Sequence, residues 1–346
     1  MRSLLSPRLR RALSYCAKCL RQCSKRKRLA SVGLICAVLY LYLTSWKPVD
    51  TVSEDTITPQ DMVGMCTMII SGYSRIATLS ALTVHYAHMH VFQEIIVSWG
   101  RTDKQPSSIL HNTIVRHRVS HKVIVRHEVE DDLNLRFKLP KTKTDCVFIS
   151  DDDIMVSESN VLLMYSKWLI EQNRIVGVFP RSHRFLHSHE AIEYVSKPTE
   201  DFSIVLTKFM LLHQSFLHNY FRESLAHVRA FVQERQNCED IAINAMVSNI
   251  TDLPPIYVQV RDKIDYGTGS GLYLRTSHQG QRHECMKFMC NAFGRCPFRH
   301  SRIAIVIFSG DEFVHAGIDP DGQIRSYLHH DSGNSQSLRQ CLKSVV

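Results

Sequence analysis

No aspartate or glutamate occurs in the first 28 residues, whereas ten lysines and arginines do. Of the 42 bases in the 346-residue chain, 32 therefore remain to face 33 acids. The formal net charge of +9 is a tail effect, and the body offers no general case for binding nucleic acid or another polyanion. Charge of either sign is absent again from Leu29 to Trp46, 18 residues in all. That length is close to the shortest helix that crosses a bilayer, and Tyr40, Tyr42 and Trp46 cluster toward its far end, where interfacial aromatics belong. The basic flank assigns residues 1–28 to the cytosol and everything after about Lys47 to the far side of the membrane. A small-x-small cleavage site is lacking, which favours a single uncleaved signal-anchor over a removable signal peptide. Internal repeats and low-complexity tracts are missing, which excludes a repeat array.

Eleven cysteines divide between the two sides. Cys16, Cys19 and Cys23 lie in the tail without the second ligand pair of a zinc site, and juxtamembrane palmitoylation stays open for them. Cys36 is in the span, and seven follow it where disulfides persist. Seven is odd, so at least one thiol is left free or pairs between chains. Asn249-Ile250-Thr251 is a glycosylation sequon on the same side.

Lys47 to Asp61 is polar, carries two prolines and reads as a stem. Met65–Ser71 then reads as a strand, a helix follows from Arg75 with Leu79, Leu82 and Tyr86 on one face, and Phe92–Trp99 is a second strand. Residues 101–120 show no clear period. Val123–Val125 and Cys146–Ser150 are third and fourth strands. Strand, helix, strand at this spacing is the signature of a parallel α/β sheet. Val161, Met164, Tyr165, Trp168 and Leu169 mark an amphipathic helix with Ser157 or Ser159 as its cap. Ile175–Phe179 is a strand stopped by Pro180, and Ser203–Leu206 is an apolar run leading to a helical segment through Phe216 and Phe221. Helices are expected over Leu225–Val232 and Ile241–Val247, and strands over Ile256–Val260 and Ile303–Phe308. Beyond Gly310 the chain is polar, and no structure is expected there.

The chemistry centres on Val147-Phe148-Ile149-Ser150-Asp151-Asp152-Asp153, where a buried-strand pattern ends in three carboxylates. Ligands of α/β sheets sit at the carboxyl ends of strands. Adjacent acids repel one another and suit water or a cation, and hard oxygen ligands suit Mg²⁺ or Mn²⁺ bridging to phosphates. The alternative is a solvated acidic turn before the helix that starts near Ser157.

Five stretches together resemble the exostosin family, specifically its glycosyltransferase 64 domain. They are Ile70-Ser71-Gly72-Tyr73-Ser74-Arg75, Leu133-Asn134-Leu135-Arg136-Phe137-Lys138, Phe148 to Asp153, Ser203 to Lys208, and Asn237-Cys238-Glu239-Asp240-Ile241-Ala242. A sixth, Ser270 to Arg275 followed by Gln281-Arg282 and Cys285, supports them in the same order. The resemblance implies a GT-A fold over residues 62–310: a Rossmann-like α/β sheet that binds a nucleotide-sugar, fused to an acceptor-binding part. It implies a retaining transferase that moves GlcNAc or GalNAc from a UDP-sugar to a glycan or glycolipid, using Mn²⁺ with Mg²⁺ as the alternative. Asp151 and Asp153 resemble the family's DxD metal pair, with Asp152 on the ribose or sugar side. Arg75, Asn134 and Arg136 resemble donor-contacting residues, though an ordinary helix start and a surface ion pair are the plainer readings of the two arginines. Asp240 resembles the catalytic carboxylate, Arg282 the residue that neutralises the leaving phosphate, and Cys238 and Cys285 a family disulfide. Cys290 and Cys296 then remain as a local pair.

Three departures stand out: Gly100-Arg101 after Trp99 where the family commonly has asparagines, the acidic Glu130-Asp131-Asp132 before Asn134, and the tail over residues 311–346. No second transferase domain lies upstream in the chain, so a bifunctional polymerase is not expected. The expectation is an anchored Golgi or endoplasmic-reticulum enzyme with its catalytic domain in the lumen. Its rivals are the same fold with another nucleotide-sugar, and a catalytically silent relative that binds glycan or a partner. An anchored phosphodiesterase would need a second His/Asp metal cluster, which the scattered histidines do not supply.

Overall fold

A computed structural model describes residues 64–140, 144–186, 191–198, 201–260, 262–267, 278–301, 303–308, 312–318 and 324–327. The basic tail, the span over residues 29–46, the stem and Cys341 lie outside the described residues. Among the described residues no helix is long and apolar enough to cross a membrane.

The first half of the domain follows the expected alternation. Strand β1 is Cys66–Gly72, helix α1 Ile76–His88, β2 Phe92–Trp99, α2 Ser108–Arg116, β3 Val123–His127 and β4 Cys146–Asp151. β1 pairs in parallel with β2 and with β4, and β2 pairs in parallel with β3. Consecutive side chains on these strands divide between two cores. Met68, Ile70, Ile95, Val97 and Phe148 pack into one; Ile69, Ile96, Val147 and Ile149 pack into the other. A sheet covered on both faces explains why the strands read as unbroken apolar runs. Leu79, Leu82 and Tyr86 of α1 are all fully buried, as their spacing predicts. Cys66 and Cys146, opposite one another on β1 and β4, are joined by a disulfide.

The second half is less regular. β5 is Ile154–Met155, α3 Glu158–Ile170, β6 Val176–Gly177, β7 Pro180–Leu186, β8 Ala191–Val195, β9 Ile204–Val205 and β10 Phe209–His213. Then come α4 Gln214–Tyr220, α5 Ala226–Arg235, α6 Glu239–Thr251, β11 Ile256–Gln259, β12 Ile264–Asp265 and α7 His278–Ala292. Strands β13 Ile303–Phe308, β14 Glu312–Ile318 and β15 Ile324–Tyr327 close the described chain. The main sheet runs β15-β14-β13-β11-β6-β10-β4-β1-β2-β3, ten strands wide. β10 enters antiparallel between β4 and β6.

Four expectations are corrected. Residues 101–120 hold a helix, α2, capped by Ser107, whose hydroxyl accepts from Ile109 N. It buries only Leu110 and Ile114, too few apolar side chains to show a period. The strand expected over Ile175–Phe179 is only Val176–Gly177, and Pro180 beyond it opens β7, where its missing N–H costs nothing at the first residue of a strand. Phe209–His213 is strand, not helix; a short apolar run is ambiguous until its neighbours are known. Beyond Gly310, β14 and β15 extend the sheet as antiparallel strands.

Gly177 on β6 faces β9 so closely that an added Cβ would stand 2.7 Å from Val205 Cβ. Gly177→Ala is therefore expected to overpack the core and cost about 1–3 kcal/mol, read as a lower urea midpoint. His183 on β7 is buried, shares a 2.8 Å hydrogen bond with Ser203 Oγ and stacks on His300 with 4.0 Å between ring centroids. Burial pushes its pKa down to about 3, with His300 and Arg299 adding to the shift. The unfolded chain takes that proton near pH 6.5, so it binds more protons than the fold below that pH. This contribution is complete above pH ~6.5 and is lost, by roughly 1.4 kcal/mol per pH unit, as the pH falls toward ~3. Urea titrations at pH 7.5, 6 and 5 should show that slope in the native sequence and a flatter one in His183→Phe.

Candidate active site

β1 and β4 end side by side, with Ser71 opposite Asp151, so the three acids emerge at the carboxyl edge of the sheet. The chain turns there into β5, which burial forces on Asp152 and Asp153 at 3% and 4% exposed. Buried carboxylates need partners, and Arg75, which caps α1 just past β1, supplies them. Its Nε donates to Asp152 Oδ1 at 2.9 Å, and its Nη2 pairs with Asp152 and lies 2.8 Å from Asp153 Oδ2. Lys208 stands 4.0 Å from Asp153 Oδ1 and 2.7 Å from Asp265 Oδ2. Burial still pushes the Asp153 carboxyl up to about 6, with Asp151 and Asp152 adding to it against Lys208 and Arg75.

Arg136, on the short 3-10 turn Leu133–Phe137, joins this cluster to a second one. Its Nη1 donates to Asp151 Oδ1 at 3.0 Å and to Thr207 Oγ1 at 2.8 Å, and lies 3.3 Å from Glu239 Oε1. Burial raises the Glu239 pKa, with Asp240 adding to the shift and Arg136 opposing it. Glu239 and Asp240 form the first turn of α6, where the helix end favours negative charge. The turn before them is tight: Cys238 has φ of 76°, a left-handed conformation that strains a non-glycine residue. A disulfide to Cys285 of α7 and a bond from Cys238 N to Asn237 Oδ1 at 2.8 Å hold it there. The same α7 carries Arg282, whose Nη2 pairs with Asp240 Oδ2 and whose Nη1 donates to Asn237 Oδ1 at 3.2 Å. Its guanidinium lies over the Tyr194 ring, 4.3 Å from the centroid. Burial disfavours the Arg282 charge, but Asp240, Tyr194 and Glu239 together more than offset it, so the net pKa shift is upward.

Arg75, Arg136, Asp151, Asp152, Asp153, Asp240 and Arg282 thus converge in two polar clusters bridged by Arg136. Asn134 does not reach them with its side chain. It is buried, both amide hydrogens go to Asp132 Oδ1 and Arg229 O, and its carbonyl accepts from Tyr220, so it holds the 3-10 turn. Asp152 is committed to Arg75 and to the Tyr73 N–H, at 3.4 Å. Asn249 lies in the last turns of α6, away from either cluster, with its Oδ1 accepting from Arg295 Nε at 3.4 Å. Cys290 and Cys296 are joined as a local pair. The Ser270–Arg275 stretch lies outside the described residues.

Sequence reasoning missed Tyr194, Glu239 and Lys208 as members of the site, and Gly267 beside it. A Cβ at Gly267 would fall on the Asp153 carboxylate, so only glycine fits where the loop passes it. The acids of the Glu239-Asp240 pair were in view, but their division of labour follows from Arg136 reaching one and Arg282 the other. Tyr194 gives no signal in sequence, because a hairpin brings it in from a distant stretch.

The acidic edge fits a divalent cation carried by a diphosphate. Asp153 Oδ1 is buried and accepts no hydrogen bond among the described residues. Among those residues no three His, Cys, Asp or Glu side chains gather as a closed protein cage would require. Two carboxylates short of a full ligand set suit an ion whose remaining ligands come from phosphate and water.

The glycosyl transferase family 64 domain model matches residues 66–309. The chain belongs to glycosyl transferase family 64, within the exostosin group. It is 30% identical over 241 residues to an exostosin-like-3 homolog of Caenorhabditis elegans, covering 68% of this chain and 28% of that protein. It is 29% identical over 255 residues to glycosylinositol phosphorylceramide mannosyl transferase 1 of Arabidopsis thaliana, covering 69% and 75%. Among solved structures, a mannosyltransferase from Pyrobaculum calidifontis in complex with GDP-Man and Mn²⁺ covers 76% of this chain and 78% of its own, at 14% identity and a TM-score of 0.44. No argument rests on a likeness that distant.

In this family 64 domain, Asp240 and Arg282 are both buried, and each is the other's countercharge. Removing one strands the other, so Arg282→Ala should cost about 3–5 kcal/mol. The double variant Asp240→Asn/Arg282→Met should recover most of that loss in thermal unfolding.

Proposed function

We propose that the protein is a retaining glycosyltransferase of GT-A type that moves an N-acetylhexosamine, GlcNAc or GalNAc, from a UDP-sugar to a glycan or glycolipid acceptor. The observation that carries this reading is the pairing of a buried carboxylate, Asp240, with Arg282, linked through Glu239 and Arg136 to the acids at the end of β4.

In this reading Asp151 and Asp153 hold Mn²⁺, or Mg²⁺, together with the donor diphosphate. A bound cation there would neutralise charge gathering on the departing nucleotide. Arg75 and Arg136 bind and orient the diphosphate, and Arg282 adds a guanidinium where the bond from the sugar C1 to the phosphate oxygen breaks. Asp240 either stabilises positive charge developing at C1 or attacks C1 to give a glycosyl ester that the acceptor then displaces, releasing the carboxylate. In both courses the acceptor hydroxyl bonds to C1 on the face the nucleotide leaves and gives its proton to the departing phosphate oxygen. Tyr194 and Asn237 keep Arg282 in place. The domain would work in the lumen of the Golgi or endoplasmic reticulum, held by the 29–46 segment as a type II anchor, with Asn249 as a glycosylation site. The three disulfides suit that oxidising compartment.

A second donor is favoured by one observation. The Arabidopsis relative named as a mannosyl transferase aligns over 75% of its own length, and this chain has Gly100 after Trp99. The same fold acting on a different nucleotide-sugar is the alternative.

Purified protein incubated with a panel of UDP- and GDP-sugars, with and without Mn²⁺, separates these readings through slow donor hydrolysis. The expected result is Mn²⁺-dependent release of UDP from one N-acetylhexosamine donor, reduced about 10²–10³-fold in Arg282→Ala and lost in Asp153→Ala. Turnover of another donor would correct the specificity. Failure to bind any nucleotide with Mn²⁺ would leave a catalytically silent relative.

A further inference from the structure

Each carboxylate of the acidic triplet already has a basic partner within the chain. Among the described residues, Asp151 pairs with Arg136, Asp152 with Arg75, and Asp153 with Arg75 and Lys208. Asp152 and Asp153 side chains are 5% and 6% exposed, so these contacts are little screened by water. Arg75 is the more accessible partner, with 31% of its side chain exposed. Resting on this reading of the site as a cation and diphosphate centre, we propose that Arg75 is an internal stand-in for the cation. Its guanidinium occupies the carboxylates of Asp152 and Asp153 and excludes a bare divalent ion until a diphosphate arrives to receive it.

Binding here is an exchange of partners. A dication entering alone must displace Arg75 from Asp153 and leave its guanidinium beside a second positive charge. Asp152 would then be the one partner in the cluster left to that guanidinium, which loses Asp153 and stands close to a like-charged ion at low dielectric, a costly arrangement. A diphosphate brings several negative charges and a set of oxygens that accept from a planar guanidinium. Arg75 then moves from carboxylate to phosphate, and Asp153 is released to the ion. Lys208 does not substitute for Arg75 in this exchange, because it is already held by Asp265 at 2.7 Å. Cation and diphosphate binding become coupled, and the coupling is reciprocal. The site thereby discriminates a cation that travels with a nucleoside diphosphate from a free one.

The test is direct measurement of Mn²⁺ binding, through loss of the free-ion paramagnetic resonance signal, to the full chain with and without UDP. In the native protein, Mn²⁺ alone should bind weakly and UDP should tighten it. Arg75→Ala should tighten Mn²⁺ binding in the absence of UDP by about tenfold, and should shrink the tightening that UDP brings. Arg75→Gln removes the same charge and keeps most of the side chain, so it serves if the alanine variant does not fold. Arg75→Lys restores the charge and should return Mn²⁺ affinity most of the way to that of the native protein. Mn²⁺ affinity unchanged or weakened in both neutral variants would overturn the stand-in role while UDP binding with Mn²⁺ left the proposed function standing. A lysine variant that behaves like the alanine one would overturn it too. No UDP binding by any of these proteins in the presence of Mn²⁺ would overturn both readings together.

Discussion

The organising constraint is the neutralisation of carboxylates that the fold places out of water. β4 carries an apolar run to the sheet edge and ends in three acids, two of them almost fully buried. Each acid must find a cation, and every cation comes from a different part of the chain: Arg75 after β1, Arg136 from the 3-10 turn, Lys208 before β10. A second set, Glu239 and Asp240 at the start of α6, is met by Arg136 and Arg282. Arg136 belongs to both sets, so the two groups of acids are joined through one guanidinium.

Much of the first half of the fold was legible because the physics there is local and regular. Phe92–Trp99 announces a buried strand by its apolar run, and α1 its helix by the spacing of Leu79, Leu82 and Tyr86. Legibility failed where a residue's environment is set from afar. Phe209–His213 has the composition of either a buried strand or a helix turn, and only its place between β4 and β6 decides. Helix α7 was hidden for a related reason. Its buried stripe is Arg282, Cys285, Met286 and Met289, at helical spacing, but the stripe opens on an arginine. A charge on a buried face breaks the hydrophobic period at the point where the chemistry needs it.

The site was readable in its residue types more than in its wiring. Acids after a strand, an arginine after the first strand and an acidic pair opening a helix are visible in sequence. That Asp152 is spent on Arg75, that Asn134 is consumed by Asp132, Arg229 and Tyr220, and that Tyr194 lies under Arg282 are not. These are outcomes of packing between segments far apart in the chain. Buried polar groups take whatever partner the fold brings, and sequence spacing carries no record of it.

The order of the chain gives the site an order of assembly. β1 to β4 pair with one another within residues 66–151, so a chain growing from its amino end can form that part of the sheet early. Arg282 arrives only with α7, after Asp240 and its left-handed turn have been made, and the Cys238–Cys285 bond cannot close before then. A nascent chain stalled before α7 would hold the acidic edge without the arginine that neutralises Asp240. Completion of the buried ion pair therefore follows the synthesis of β1 to β4 and of the α6 turn.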